Sequence, residues 1–107
     1  MKRLEASLRP SAYDDIERLE TWLALQGAGP ATLDAYIERL LARCAAIGDA
    51  PGAGKPRDDL RPGLRTVVFE KRVLIAYRVT ESGVEIVNLF SQGRDYEAFY
   101  LDDDKRG

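Results

Sequence analysis

Apolar and polar residues change period along this chain, and each change marks an element. Residues 2–8 alternate, with Leu4, Ala6 and Leu8 on one side and Arg3, Glu5 and Ser7 on the other. That period of two predicts a half-buried strand. From Pro10 the period lengthens. Ile16, Leu19 and Trp22 or Leu23 follow at three- and four-residue steps, while Asp14, Asp15, Glu17, Arg18 and Glu20 occupy the other, solvated face of a helix. Proline is tolerated in a first helical turn, and Ser11 with Asp14 three residues on resembles a capping box with a shorter acid. Gly27-Ala28-Gly29-Pro30 closes this helix and opens a second. There Leu33, Tyr36, Ile37, Leu40, Leu41, Cys44 and Ile47 recur at helical spacing until Gly48. A link this short predicts an antiparallel helix hairpin whose apolar seam lies on a sheet.

Residues 49–63 shift to proline, glycine and charge, which predicts an irregular connector. Three β-rich runs follow, over 64–69, 73–79 and 84–90. Their connections, Glu70-Lys71-Arg72 and Thr80-Glu81-Ser82-Gly83, are short enough to make the three an antiparallel meander, with Gly83 where a hairpin needs positive φ. In the first strand Arg65, Val67 and Phe69 share one face, and Leu64, Thr66 and Val68 the other. After Phe90 the alternation breaks at Ser91-Gln92-Gly93-Arg94-Asp95, and residues 95–101 predict a short last helix capped by Asp95. The expected fold class is α+β. An N-terminal strand and a helix hairpin pack on an antiparallel β-sheet built around a three-stranded meander, with a short C-terminal helix. Residues 1–101 make a single domain, and 102–107 a charged tail that frays.

Composition narrows the chemistry. The chain has 107 residues, no histidine and one cysteine. Histidine acid–base chemistry, serine or cysteine triads and the usual nitrogen–sulfur zinc sites are therefore excluded, and no phosphate-cradling glycine motif occurs. No metal site and no cofactor is expected. Cys44, alone on an apolar helical stripe, reads as a small buried hydrophobe in a reducing compartment. There is no apolar run long enough for a bilayer and no leader, which makes the cytoplasm the expected location and a membrane partner unexpected. A formal net charge of -2 makes the chain as a whole no polyanion binder, so local patches must carry any such role.

The order of these elements, together with particular motifs, resembles the ParE branch of the RelE/ParE superfamily of toxin–antitoxin toxins. The motifs are Arg9-Pro10-Ser11-Ala12, the run from Ala50 through Pro51-Gly52-Ala53-Gly54-Lys55-Pro56 to Leu60, Gly63-Leu64-Arg65, Leu74-Ile75-Ala76-Tyr77-Arg78-Val79, Val84-Glu85-Ile86-Val87 and Gly93-Arg94-Asp95. The resemblance implies a type II toxin that inhibits DNA gyrase by binding. A small antitoxin would neutralise it, wrapping the toxin with an amphipathic C-terminal segment and meeting operator DNA through a ribbon-helix-helix or similar half. The superfamily's other branch, RelE-like, consists of ribosome-dependent messenger RNA endoribonucleases, whose chemistry needs cations on the scissile phosphate. Where those nucleases carry an arginine in the central strand, this chain has Val73 or Leu74. Arg65, Arg94 and Tyr100 stand where the remaining nuclease groups would be.

The resemblance therefore favours an inhibitory binder over an enzyme, with a ribonuclease or an inactive interaction domain as the alternatives. Arg65, Arg72, Arg78, Arg94 and Tyr96 are the candidate target contacts. Trp22, Tyr36, Arg65 and Arg78 are the candidate antitoxin contacts. Each has a plainer reading: Arg65 as a packed stem with a snorkelling head, Lys71 and Arg72 as a solvated turn, Trp22 as core or rim, and Tyr96, Phe99 and Tyr100 as a packed terminal segment. A sheet covered by one hairpin would leave its opposite face and an edge open to a partner.

Overall fold

The computed structural model describes residues 3–91 and 94–106, with side chains as far as Leu101. Strand β1 (Ala6–Leu8) leads into helix α1 (Pro10–Leu25), helix α2 (Pro30–Ala46) and a single 3₁₀ turn, Ile47–Asp49. Then come strands β2 (Lys55–Pro56), β3 (Arg65–Phe69), β4 (Val73–Thr80) and β5 (Gly83–Ser91), and helix α3 (Tyr96–Arg106). The expected α+β architecture is present, with four refinements.

First, the sheet is mixed. Its strand order is β1-β5-β4-β3-β2, and the meander is antiparallel as expected, but β1 lies parallel to β5, pairing Ala6, Ser7 and Leu8 with Val84, Glu85 and Ile86. The excursion through two helices and the meander returns the chain to the same end, which a hairpin cannot do. Close approach fixes the residue at the corner: Gly83 has φ +139°, and a Cβ there would lie 2.4 Å from the Glu5 carbonyl oxygen. Second, the connector contains regular structure. Lys55 and Pro56 pair with Thr66 and Arg65 at the sheet edge, where a proline's missing donor is no loss.

Third, the helix α1 start is not a capping box. Arg9 is the cap residue, without a side-chain cap bond, and the Ser11 hydroxyl instead donates to the Val87 carbonyl at 2.6 Å. Fourth, the opposite sheet face is not open. Helices α1 and α2 cover one face, over Phe69, Val73, Ile75, Tyr77, Val84 and Ile86. On the other, Leu60, Leu64, Ala76, Phe90 and Tyr100 form a second, smaller cluster under α3. Each fully buried aliphatic or aromatic side chain contributes roughly 1.5–3 kcal/mol, which makes the first cluster the main source of stability. Helix α3 runs past the expected end at residue 101, and Asp95 caps it as expected, accepting from the Ala98 N–H at 3.0 Å. Gly93 of the exit motif, Lys2 of the first strand and Gly107 of the tail lie outside the described residues.

Candidate functional site

Strand β5 reaches beyond its short neighbour β1, and α1 takes over the exposed edge. The Arg9 N–H donates to the Ile86 carbonyl at 2.9 Å, Ser11 to Val87, and the Leu89 N–H to the Asp15 carboxylate at 2.9 Å. Between Ala76 and Tyr77 the register with β5 slips, so that Ala76 faces Asn88 and Tyr77 faces Ile86, leaving Val87 as a bulge. The Asn88 amide donates to Asp15 at 3.0 Å and its oxygen accepts from the Tyr100 hydroxyl at 2.9 Å. A buried polar chain thus runs from α1 through β5 to α3. Asp15 is only 5% exposed, contrary to the expectation of a solvated acid, and its other oxygen accepts from Arg18 at 2.7 Å. Asp15, Asn88 and Arg18 were invisible as a unit from sequence alone.

A second anchor holds the Pro/Gly loop. Tyr77, fully buried, donates its hydroxyl to the Pro51 carbonyl at 2.6 Å and accepts from the Gly54 N–H at 3.0 Å. A Cβ on Gly54 would stand 2.3 Å from that hydroxyl, so glycine is required. Arg65, opposite Tyr77 in the ladder, donates to the carbonyls of Gly52 and Gly54 at 3.1 and 2.8 Å. Its stem shares a face with Val67 and Phe69 as the alternation predicts, and its head closes the loop. Arg57 ties the same connector to α3. It bonds Tyr96 and Glu97, pairs with Asp59 at 2.8 Å, and lies over the Tyr96 ring. The hydrogen bond from Arg57 holds the Asp59 carboxyl below the usual range.

The remaining candidates gather at two places. At the β3–β4 turn end, two contiguous hollows of about 140 and 200 Å³ share Val73, Ser91 and Arg94. Arg18 and Trp22 rim the first, and Lys71, Arg72 and Tyr96 the second. Arg94 lies over Phe90 and Phe99, with its guanidinium carbon 5.2 and 5.3 Å from the ring centres. Trp22 is half-exposed on this rim, and Tyr36 is close by, edge-on to Phe69 and under Arg39. Burial raises the Tyr36 phenol above its ordinary pKa. At the other place, on the α3 face, Arg78 borders a groove of about 300 Å³ with Arg61, Pro62 and Val87. Its guanidinium bonds Glu85 of β5 at 2.8 Å.

The three groups proposed for a nuclease do not form an open set. Tyr100 is 3% exposed with its hydroxyl on Asn88, Arg65 is committed to backbone carbonyls, and only Arg94 is exposed. Where the nucleases have an arginine, Val73 is 1% exposed in the main core and Leu74 packs against the second cluster. No cluster of three or more metal-ligating side chains occurs among the described residues, and no described helix is long and apolar enough to cross a membrane.

Residues 6–96 match the family model described as the ParE toxin of the type II toxin–antitoxin system parDE. The fold is similar to that in the structure of a chromosomal ParDE toxin–antitoxin system from P. aeruginosa, with a TM-score of 0.72 and 17% identity over 83% of this chain and 96% of that one. It is also similar to the solution structure of the conserved hypothetical protein HP0894 of Helicobacter pylori, with a TM-score of 0.51 and 19% identity over 85% and 97% of the two chains. No curated protein matches in sequence.

Proposed function

This chain belongs to the ParE toxin family of type II toxin–antitoxin systems, and on that premise we propose that it inhibits DNA gyrase by binding it, with no chemistry of its own. The observation that carries this reading is the commitment of the groups a nuclease would use. A phosphate-holding cation is replaced by the buried Val73 or by Leu74, and the tyrosine expected to move a proton spends its hydroxyl on Asn88. Removing a transition-state cation from a preorganised site commonly costs ~10²- to 10³-fold in rate. The surface, by contrast, offers binding groups: Arg72, Arg94 and Tyr96 at the turn end, and Arg78 on the far face.

In the cytoplasm a cognate antitoxin keeps the protein silent, laying an amphipathic C-terminal segment over Trp22 and Tyr36 and reaching operator DNA through its own other half. Arg65, with its head on the Gly52 and Gly54 carbonyls, contributes by holding the Pro/Gly loop rather than by direct contact. Arg78, on the opposite face, belongs to a separate contact. Purified gyrase separates the readings. Loss of supercoiling with messenger RNA left intact in a translating extract is the expected result. Cleaved transcripts with gyrase untouched would overturn it, and growth unaffected by induced expression would point to an inactive domain.

A further inference from the structure

Several surface cations of the described residues pair with the protein's own acids. Arg3 meets Asp49, Arg9 and Arg78 meet Glu85, Arg39 meets Glu70, and Arg57 meets Asp59. Arg43 and Lys55 each lack such a partner singly among the described residues, whereas the turn end gathers several unpaired cations around one hollow. Among the described residues Lys71, Arg72 and Arg94 form no ion pair, although Glu70 and Asp95 stand beside them in sequence and Asp15 lines the adjoining hollow. Glu70 turns to Arg39, Asp15 to Arg18, and Asp95 to the first turn of α3. Three cations without an ion pair therefore line one hollow of a chain whose net charge is -2, with Glu70, whose pKa the Arg39 hydrogen bond lowers, only near enough for Arg72 to lower it further.

The floor of this trough decides what kind of anion it suits. Val73 and Phe90 are already buried at 1 and 2% exposure and Leu74 and Tyr96 are half-buried, which leaves Val68 as its one exposed apolar side chain. An amphipathic helix would gain little inside this hollow, unlike on the neighbouring surface at Trp22 and Tyr36, because apolar burial is proportional to area still in water. A flexible chain of repeated negative charges would gain most. Guanidinium groups match phosphate oxygens in forked pairs, and a row of cations follows successive phosphates.

We propose that the trough between the β3–β4 turn and the β5 exit, rimmed by Lys71, Arg72 and Arg94, binds the phosphodiester backbone of a nucleic acid. This deepens the proposed function and rests on it for its setting, since the target named there is an enzyme that works on DNA. Lys71 and Arg72 stand on the hairpin and Arg94 across the hollow, so that a strand laid along it meets cations from both sides. These contacts read charge and spacing and carry no base sequence.

Fluorescence anisotropy with a labelled oligonucleotide, offered both as a single strand and as a duplex, tests this with the full chain. Binding by either form is expected, and the stronger arm identifies the source of the phosphates. Two or three phosphate contacts predict a fall in duplex affinity of about 10- to 40-fold between about 50 and 200 mM salt. The double variant Arg72→Ala/Arg94→Ala should flatten the log–log salt slope by about 2, whereas Lys55→Ala, on the far edge of the sheet, should leave it unchanged. Both arginines are exposed, so an unaltered thermal melt confirms that the variant is folded. Absence of binding at low salt, or binding undiminished in the double variant, overturns the proposal. So does equal affinity for a poly-glutamate peptide of the same charge, since that would mark the trough as a site for acidic protein. Gyrase is absent from this assay, so its failure leaves the supercoiling result standing, and the reverse also holds.

Discussion

Removing the carboxylate of Asp15 should be among the most damaging single changes available outside the apolar core. Its Oδ2 accepts from the Leu89 N–H and the Asn88 amide, and its Oδ1 from Arg18, in surroundings that leave it 5% exposed. Asp15→Ala deprives two buried donors of their acceptor and admits no partner in exchange. Each orphaned buried group costs about 1–3 kcal/mol, and the exposed Arg18 adds little. The expected loss is therefore about 2–6 kcal/mol, a large part of the total for a domain of this size. Asp15→Asn keeps one oxygen to accept from Leu89 and Asn88 but turns an amide donor toward Arg18, and should cost about 1–2 kcal/mol. Tyr100→Phe removes the far link to Asn88 and should cost about 1 kcal/mol.

Urea denaturation followed by tryptophan fluorescence measures all three, with Trp22 as the single reporter. A double-mutant cycle between Asp15→Ala and Asn88→Ala should return a coupling of at least ~1 kcal/mol, as expected for groups sharing one network. A loss below ~1 kcal/mol for Asp15→Ala, or strict additivity with Asn88→Ala, would refute the idea that α1 is fastened to the sheet edge through this carboxylate.

Three further changes test other parts of the fold. Tyr77→Phe keeps the ring but abandons the Pro51 carbonyl and the Gly54 N–H, so it should cost about 1–2 kcal/mol and speed limited proteolysis within residues 50–58. Glu70 and Lys71 both hold positive φ, at 47° and 61°, in a turn closed by the Arg72 N–H on the Phe69 carbonyl at 3.0 Å. Relief of left-handed strain should make Lys71→Gly neutral to stabilising, by up to ~1 kcal/mol in thermal melts, and a loss of stability would show that the turn is not strained. Burial pushes the Cys44 thiol up to about 11, so thiol reagents at pH 8 should label it only at the rate of unfolding. Because its pKa is raised in the folded state, stability should also decline as pH rises above ~8.5, where the unfolded thiol ionises first, and Cys44→Ala should remove that part of the slope.

The helices and the meander were legible because each buries one face, which forces a period of 3.6 or 2 on the sequence. The placement of Arg65, Val67 and Phe69 on one face followed from that rule alone. The parallel seat of β1 was not, since three alternating residues say nothing about direction, and only the distant Gly83 records the approach of Glu5. Asp15 left a signal that hydrophobic counting discards. Ala12, Asp15, Ile16, Leu19 and Leu23 recur at helical spacing and are the buried residues of α1. A carboxylate within an otherwise apolar stripe asks for donors, and the edge of β5 beyond β1 supplies them.

The same distinction between presence and engagement governs the candidate site. Tyr100, Arg65 and Arg94 satisfy a nuclease pattern by type and spacing, yet their partners divide them: one is spent on a buried amide, one on a loop, and one is exposed over two rings. Residue types record what a side chain can do, whereas its hydrogen bonds record what it is still free to do. Lys71 and Arg72 reverse the lesson. Read locally they are a polar turn, and the pairing of Glu70 with the distant Arg39 is what leaves them without an ion pair. The proposed surface is thus set as much by where the acids go as by where the arginines are, and for Glu70 that depends on a pairing with Arg39 that no local window of sequence contains.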